Sequence, residues 1–132
     1  MKYLFFLFIF KLSFCQTKSF DEAYKESNVS KVTLETDCDN INSLIIKDIS
    51  NKSFFLFLQS GNDPIRFYND AKFEEKYDLH YFEQGCIGSL CSENYNFIIF
   101  DYLYKTFGKK WMKEIRKDTL GFKEWKKTYK QH

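Results

Sequence analysis

Four cysteines and two histidines are the residues of this chain best suited to redox, nucleophilic or metal chemistry. Cys86 and Cys91 bracket the glycine-bearing stretch Ile87-Gly88-Ser89-Leu90. Five residues apart in a turn, their α-carbons come within bonding reach, so a Cys86–Cys91 disulfide is expected. It would close a small loop and stabilise near the low end of ~2–4 kcal/mol. The spacing is not Cys-x-x-Cys, and no helix N-terminus directly follows Cys86 to lower its pKa, which argues against redox catalysis. Cys38 is left over as a buried, free or intermolecular thiol.

His132 is terminal, and His80 sits in an expected strand beside Phe82. A His80–Cys86 dyad is conceivable, but no third group to orient it is identifiable. Carboxylates gather at Asp37/Asp39 and at Glu74/Glu75/Asp78. Paired acids can hydrolyse glycosides only at a set separation in space. The Asp37-Cys38-Asp39-Asn40 turn lacks the glycine and closing glutamate of an EF-hand loop. Two histidines and three partly paired cysteines fall short of a zinc site. No phosphate-binding glycine loop, HExxH, GxSxG or dinucleotide fingerprint occurs. No metal, cofactor or catalytic residue is therefore assigned.

The N-terminus carries a different signal. Lys2 is followed by an apolar run from Tyr3 to Phe10, and Ser13 and Cys15 place small side chains before Gln16. That order is a secretory signal peptide, with cleavage expected between Cys15 and Gln16. Lys11 cuts the run short of a membrane span. A lipid anchor at Cys15 is the alternative: Leu12 and Ser13 fit the start of a lipobox, and Phe14 does not. Secretion or periplasmic export follows, with residues 16–132 as one small domain.

Charge is divided along the chain. Residues 16–104 hold 8 basic and 15 acidic side chains, net −7; residues 105–132 hold 10 and 3, net +7. A basic face of Lys110, Lys113, Arg116 and Lys117 is expected on a helix over Lys109–Asp118, with Trp111 and Ile115 docked inward on the acidic body. Such a face suits an acidic protein or an anionic envelope surface. The aromatics among these cations recur at helical spacing and read as core, so no nucleic acid partner is expected.

The elements follow from periodicity. Val29–Thr36 alternates and predicts a strand. Ser43–Ile49 is rich in Ile and Leu and predicts a second; Ser53–Leu58 is continuously apolar and predicts a central third. Asn69–Tyr77 reads as a short helix and Tyr77–Glu83 as a fourth strand. Tyr95, Ile98, Ile99, Tyr102 and Leu103 trace one face of a helix from Ser92 to Gly108. Phe122–Lys130 continues helical. The expected fold is α+β: an antiparallel sheet of about four strands with C-terminal helices packed on it. A thioredoxin-like fold is the competitor, because strand, helix and strand surround Asn69–Asp78.

The Phe14-Cys15-Gln16 end of the signal resembles those of exported proteins from low-GC Bacteroidota. The stretches from Phe73 to Cys86 and from Lys109 to Asp118 are similar to segments of small uncharacterised exported proteins of that group. The resemblance implies no activity, cofactor or binding residue. Asp118-Thr119-Leu120 matches a short O-glycosylation acceptor pattern associated with the phylum. The expected function is a non-enzymatic exported binding or interaction module, with a small envelope enzyme, hydrolytic or thiol-based, as the alternative.

Overall fold

Helix, not strand, dominates the first half of the domain. The computed structural model describes residues 17–59, 64–85 and 90–131. The expected signal peptide and its Cys15–Gln16 junction lie outside the described residues. Helix α1 (Phe20–Glu26) starts on a capping box, in which Ser19 and Glu22 each satisfy the other's backbone N–H. Helix α2 spans Val29–Leu34, a 3₁₀ turn Cys38–Asn40, and helix α3 Ile41–Ser50.

These elements replace two of the four expected strands. In α2 the buried residues are Val29 and Val32, one helical turn apart, while Leu34 is 83% exposed. In α3, Ile41, Ile45 and Asp48 face inward at i, i+4 and i+7 and Ile46 faces out. Short apolar segments fit either period, and here tertiary burial of one helical stripe overrides β-branched propensity.

The other two expected strands form. Strand β1 (Phe55–Leu58) is buried on both faces. Chain 59–79, including helix α4 (Asp70–Tyr77), then crosses over to strand β2 (His80–Glu83). The strands pair in parallel, with Phe55 opposite His80 and Leu58 opposite Glu83. The expected antiparallel four-stranded sheet is therefore corrected to a parallel pair among the described residues. Parallel pairing is what the strand–helix–strand competitor requires, but among the described residues no further strand joins the pair. α4 stops where Asp78 adopts the left-handed conformation as its C-cap.

The second edge of β1 is covered instead of paired with another strand. The 18-residue helix α5 (Leu90–Phe107) lies against it. Thr119 makes an isolated antiparallel bridge with Leu58, and Leu120 N–H donates to the Phe57 carbonyl at 3.0 Å. Covering an edge in this way denies it to other chains.

Beyond α5, the expected helix over Lys109–Asp118 shrinks to one turn, α6 (Trp111–Glu114), before α7 (Phe122–Tyr129). Trp111 is fully buried, stacked on Phe100 at 5.8 Å and close to Phe122 and Trp125. Gly121 enters α7 at φ 74°. A Cβ there would meet Phe97 Cε1 at 2.6 Å and Glu93 Cγ at 2.8 Å, so only glycine lets α7 sit this close to α5. No described helix is long and apolar enough to cross a membrane.

Candidate functional site

Cys91, at the start of α5, is bonded to Cys38 in the 3₁₀ turn, with α-carbons 5.1 Å apart. A sulfur forms one disulfide, so the expected Cys86–Cys91 bridge is corrected to Cys38–Cys91. Cys86 lies outside the described residues, and with it the His80–Cys86 dyad. The sequence reading failed because it weighed nearness along the chain, whereas the fold brings the 3₁₀ turn onto α5 across 53 positions.

His80 is committed to packing. Its Nε2 lies 2.8 Å from the Lys18 carbonyl, which can only accept, so Nε2 carries the hydrogen. Its ring lies 5.7 Å from those of Phe20 and Phe55. The carboxylate groups disperse. Asp37 accepts from the Asp39 N–H, and Asp78 turns towards Lys52. Among the described residues, no three His, Cys, Asp or Glu converge as metal ligands.

Two buried carboxylates hold the frame together. Asp48 accepts from the Asn28 backbone N–H at 2.9 and 3.0 Å, from the Asn28 amide at 2.7 Å and from the Tyr95 hydroxyl at 3.0 Å. Burial still raises its pKa above the ordinary value, because the hydrogen bonds only partly offset lost hydration. Burial, with Asp48 alongside, raises Tyr95 well above the usual range. Glu74, on α4, accepts from the Tyr81 N–H at 2.9 Å and takes both guanidinium nitrogens of Arg66 at 3.0 and 2.8 Å.

Arg116 is the largest departure from the expected basic face. Lys110, Lys113 and Lys117 are exposed, but the Arg116 side chain is only 7% exposed. Its turn follows α6, where the chain leaves helical geometry and the side chain swings inward. Arg116 Nη1 donates to Asp70 at 3.0 Å and to the Ile65 carbonyl at 2.8 Å. Nε and Nη2 reach Asp118 at 2.9 and 2.6 Å. The guanidinium lies 4.6 Å from the Phe67 ring centre and 5.6 Å from that of Tyr81. The planar Arg fork grips Asp118 through two nitrogens while reaching Asp70 and the Ile65 carbonyl, and lays a flat face against two rings; a lysine has neither the fork nor the face.

That hub pins a display segment. Residues Pro64 to Asn69 are all exposed, yet their backbone is tied down from below. Ile65 N–H donates to Glu83 at 3.1 Å, and Phe67 N–H to Asp70 at 2.8 Å. Ile65, Phe67 and Tyr68 are 55%, 54% and 86% exposed. Below the segment, a cavity of about 470 Å³ opens between Phe67, Asp70, Ile115 and Arg116. A second, of about 250 Å³, sits at the C-terminal ends of both strands between Leu58, Arg66, Glu83 and Arg116. Sequence periodicity assigns the Pro64–Asn69 segment no element before the helix expected from Asn69. Its signal was Ile-Arg-Phe-Tyr, three large apolar residues in six positions bounded by proline and a helix start.

Thr119 of the glycosylation-like pattern is buried, and its hydroxyl donates to the Arg116 carbonyl at 2.7 Å. The folded chain does not offer it to a transferase. The chain matches no protein-family model, no curated protein and no solved structure.

Proposed function

We propose that this chain is an exported, non-enzymatic binding module whose recognition element is the Pro64–Asn69 segment. The observation that carries the reading is that this segment is at once apolar, exposed and held by its backbone. An apolar loop left mobile would lose much of its binding energy to ordering; one already fixed keeps it. Arg and Tyr are over-represented among residues that dominate protein interfaces, and this segment offers both beside Phe67. The occupant is a partner protein with an apolar pocket for Tyr68. Three buried or half-buried carboxylates, Asp48, Asp70 and Glu74, accept backbone N–H groups, which supports structural roles for them.

Export is part of the reading. The order Lys2, Tyr3–Phe10, Ser13, Cys15 supports a leader removed before Gln16. The Cys38–Cys91 disulfide suits an oxidising compartment outside the cytoplasm.

The test is recovery of partners from the native envelope with wild type and with Ile65→Ser/Tyr68→Ser. These exposed substitutions leave the backbone bonds in place. A partner retained by wild type and lost by the variant supports the reading. Identical partners for both, or self-association of wild type as the only interaction, overturns it.

A further inference from the structure

The basic C-terminal region carries a groove apart from the Pro64–Asn69 segment. Helices α6 and α7 and the turn between them enclose a groove of about 400 Å³. Its floor is apolar: Met112, Ile115 and Phe122, of which the last two are 6% and 7% exposed. Its rim is Lys113, Lys117, Lys123 and Lys126. No carboxylate lines it.

Of the neighbouring acids, Glu114 and Asp118 are engaged elsewhere. Glu114 faces Lys76, with both oxygens within 2.9 Å of Nζ, and accepts from the Tyr77 hydroxyl. Asp118 is engaged by Arg116. Among the described residues, none of the four rim lysines forms an ion pair. Four like charges around one opening repel each other, so a bound anion gains from all of them together.

From this geometry we infer that the groove binds a small anionic amphiphile: one phosphate or carboxylate group on a single short apolar arm. The lysines take the charge and the floor takes the arm. The volume falls in the range of small-molecule sites. The floor is recessed, so the apolar part must come from the ligand. A surface that inserts into a bilayer would need its own apolar residues to protrude. An acidic peptide would meet the rim and leave the floor unused.

The site shares no residue with the Pro64–Asn69 segment, and its test is separable. Decyl phosphate, kept below its micelle concentration, is titrated into the full chain by calorimetry, beside inorganic phosphate, decanol and phosphatidylglycerol vesicles. Decyl phosphate should bind at least tenfold more tightly than either inorganic phosphate or decanol, and more weakly as salt screens the lysines. Lys113→Gln/Lys123→Gln should lose at least tenfold in affinity. Ile65→Ser/Tyr68→Ser and Lys105→Gln/Lys130→Gln should bind as wild type does. Equal binding of phosphate and decyl phosphate, indifference to Lys113 and Lys123, or binding to vesicles but not to the free amphiphile would each overturn the proposal.

Discussion

The Asn96 side chain pairs with the Phe57 backbone as a neighbouring strand would. Its Oδ1 accepts the Phe57 N–H at 2.9 Å and its Nδ2 donates to the Phe57 carbonyl at 2.8 Å. The same Nδ2 donates to the Leu120 carbonyl at 2.9 Å, so one amide ties α5, β1 and the approach to α7 together. Asn96→Leu, similar in shape, should therefore strand a buried N–H and cost about 1–3 kcal/mol. Denaturant unfolding measures it. A loss under about 0.5 kcal/mol would mean that packing, not pairing, holds that edge.

Non-reducing peptide mapping should recover a Cys38–Cys91 peptide, and Cys86→Ser should leave it intact. Cross-linking residues 53 positions apart constrains the unfolded chain by about 4 kcal/mol on the chain-entropy account. Cys38→Ser/Cys91→Ser should lose a large part of that. A dominant Cys86–Cys91 peptide would contradict the pairing.

Asp48 sets a pH dependence of unusual sign. Its folded carboxyl holds a proton to higher pH than in the unfolded chain, where it titrates near 3.8. The folded state then binds more protons, so Asp48's contribution is greatest in acid and falls as pH rises from ~3.8 through the raised folded value. The stability of wild type relative to Asp48→Asn should decline as pH rises from ~3.8 through the raised folded value. Glu114 works the other way: the hydrogen bond from Lys76 lowers its pKa, so its contribution is present above the usual carboxylate range and lost in acid. That pair is exposed, and its effect should be small. A wild-type advantage that grows with pH would show that Asn28 and Tyr95 favour the charged carboxylate more than burial disfavours it.

Arg116→Met should be costly because Asp70, buried beside it, loses the partner of its ion pair. Breaking one side of such a pair typically costs ~3–5 kcal/mol. Adding Asp70→Asn should restore part of the loss, the signature of a coupled pair. The single variant should also make the Pro64–Asn69 segment easier to cleave, since the Ile65 carbonyl loses its donor. Strict additivity in the double variant would show that the two side chains act independently.

Legibility in the sequence followed the strength of local pattern. β1, α4, β2, α5 and α7 were readable because each carries a long apolar run, a clean period or a turn at its end. α2 and α3 were not, because Val32 and Leu34 fit a two-residue period and the Ile and Leu of Ser43–Ile49 suit a strand, and only contact with α5 chooses the helical stripe. The site suffered similarly. Lys113 and Lys117 were recognisable as a basic face, but their joining with Lys123 and Lys126 depends on how α7 folds back. Arg116 was grouped with them by spacing, and its burial depends on Asp70, 46 positions away. Asn96 gave no sign at all, since a lone asparagine in a helix looks like a solvated one.

The Cys38–Cys91 bond closes a covalent ring that contains both strands, α4 and the whole Pro64–Asn69 display. A protease that cuts that exposed segment opens the ring without dividing the molecule. Both pieces stay joined through sulfur, and β1 and β2, one on each piece, remain tethered to each other. A single cut in this exposed segment thus leaves the fold tethered to itself.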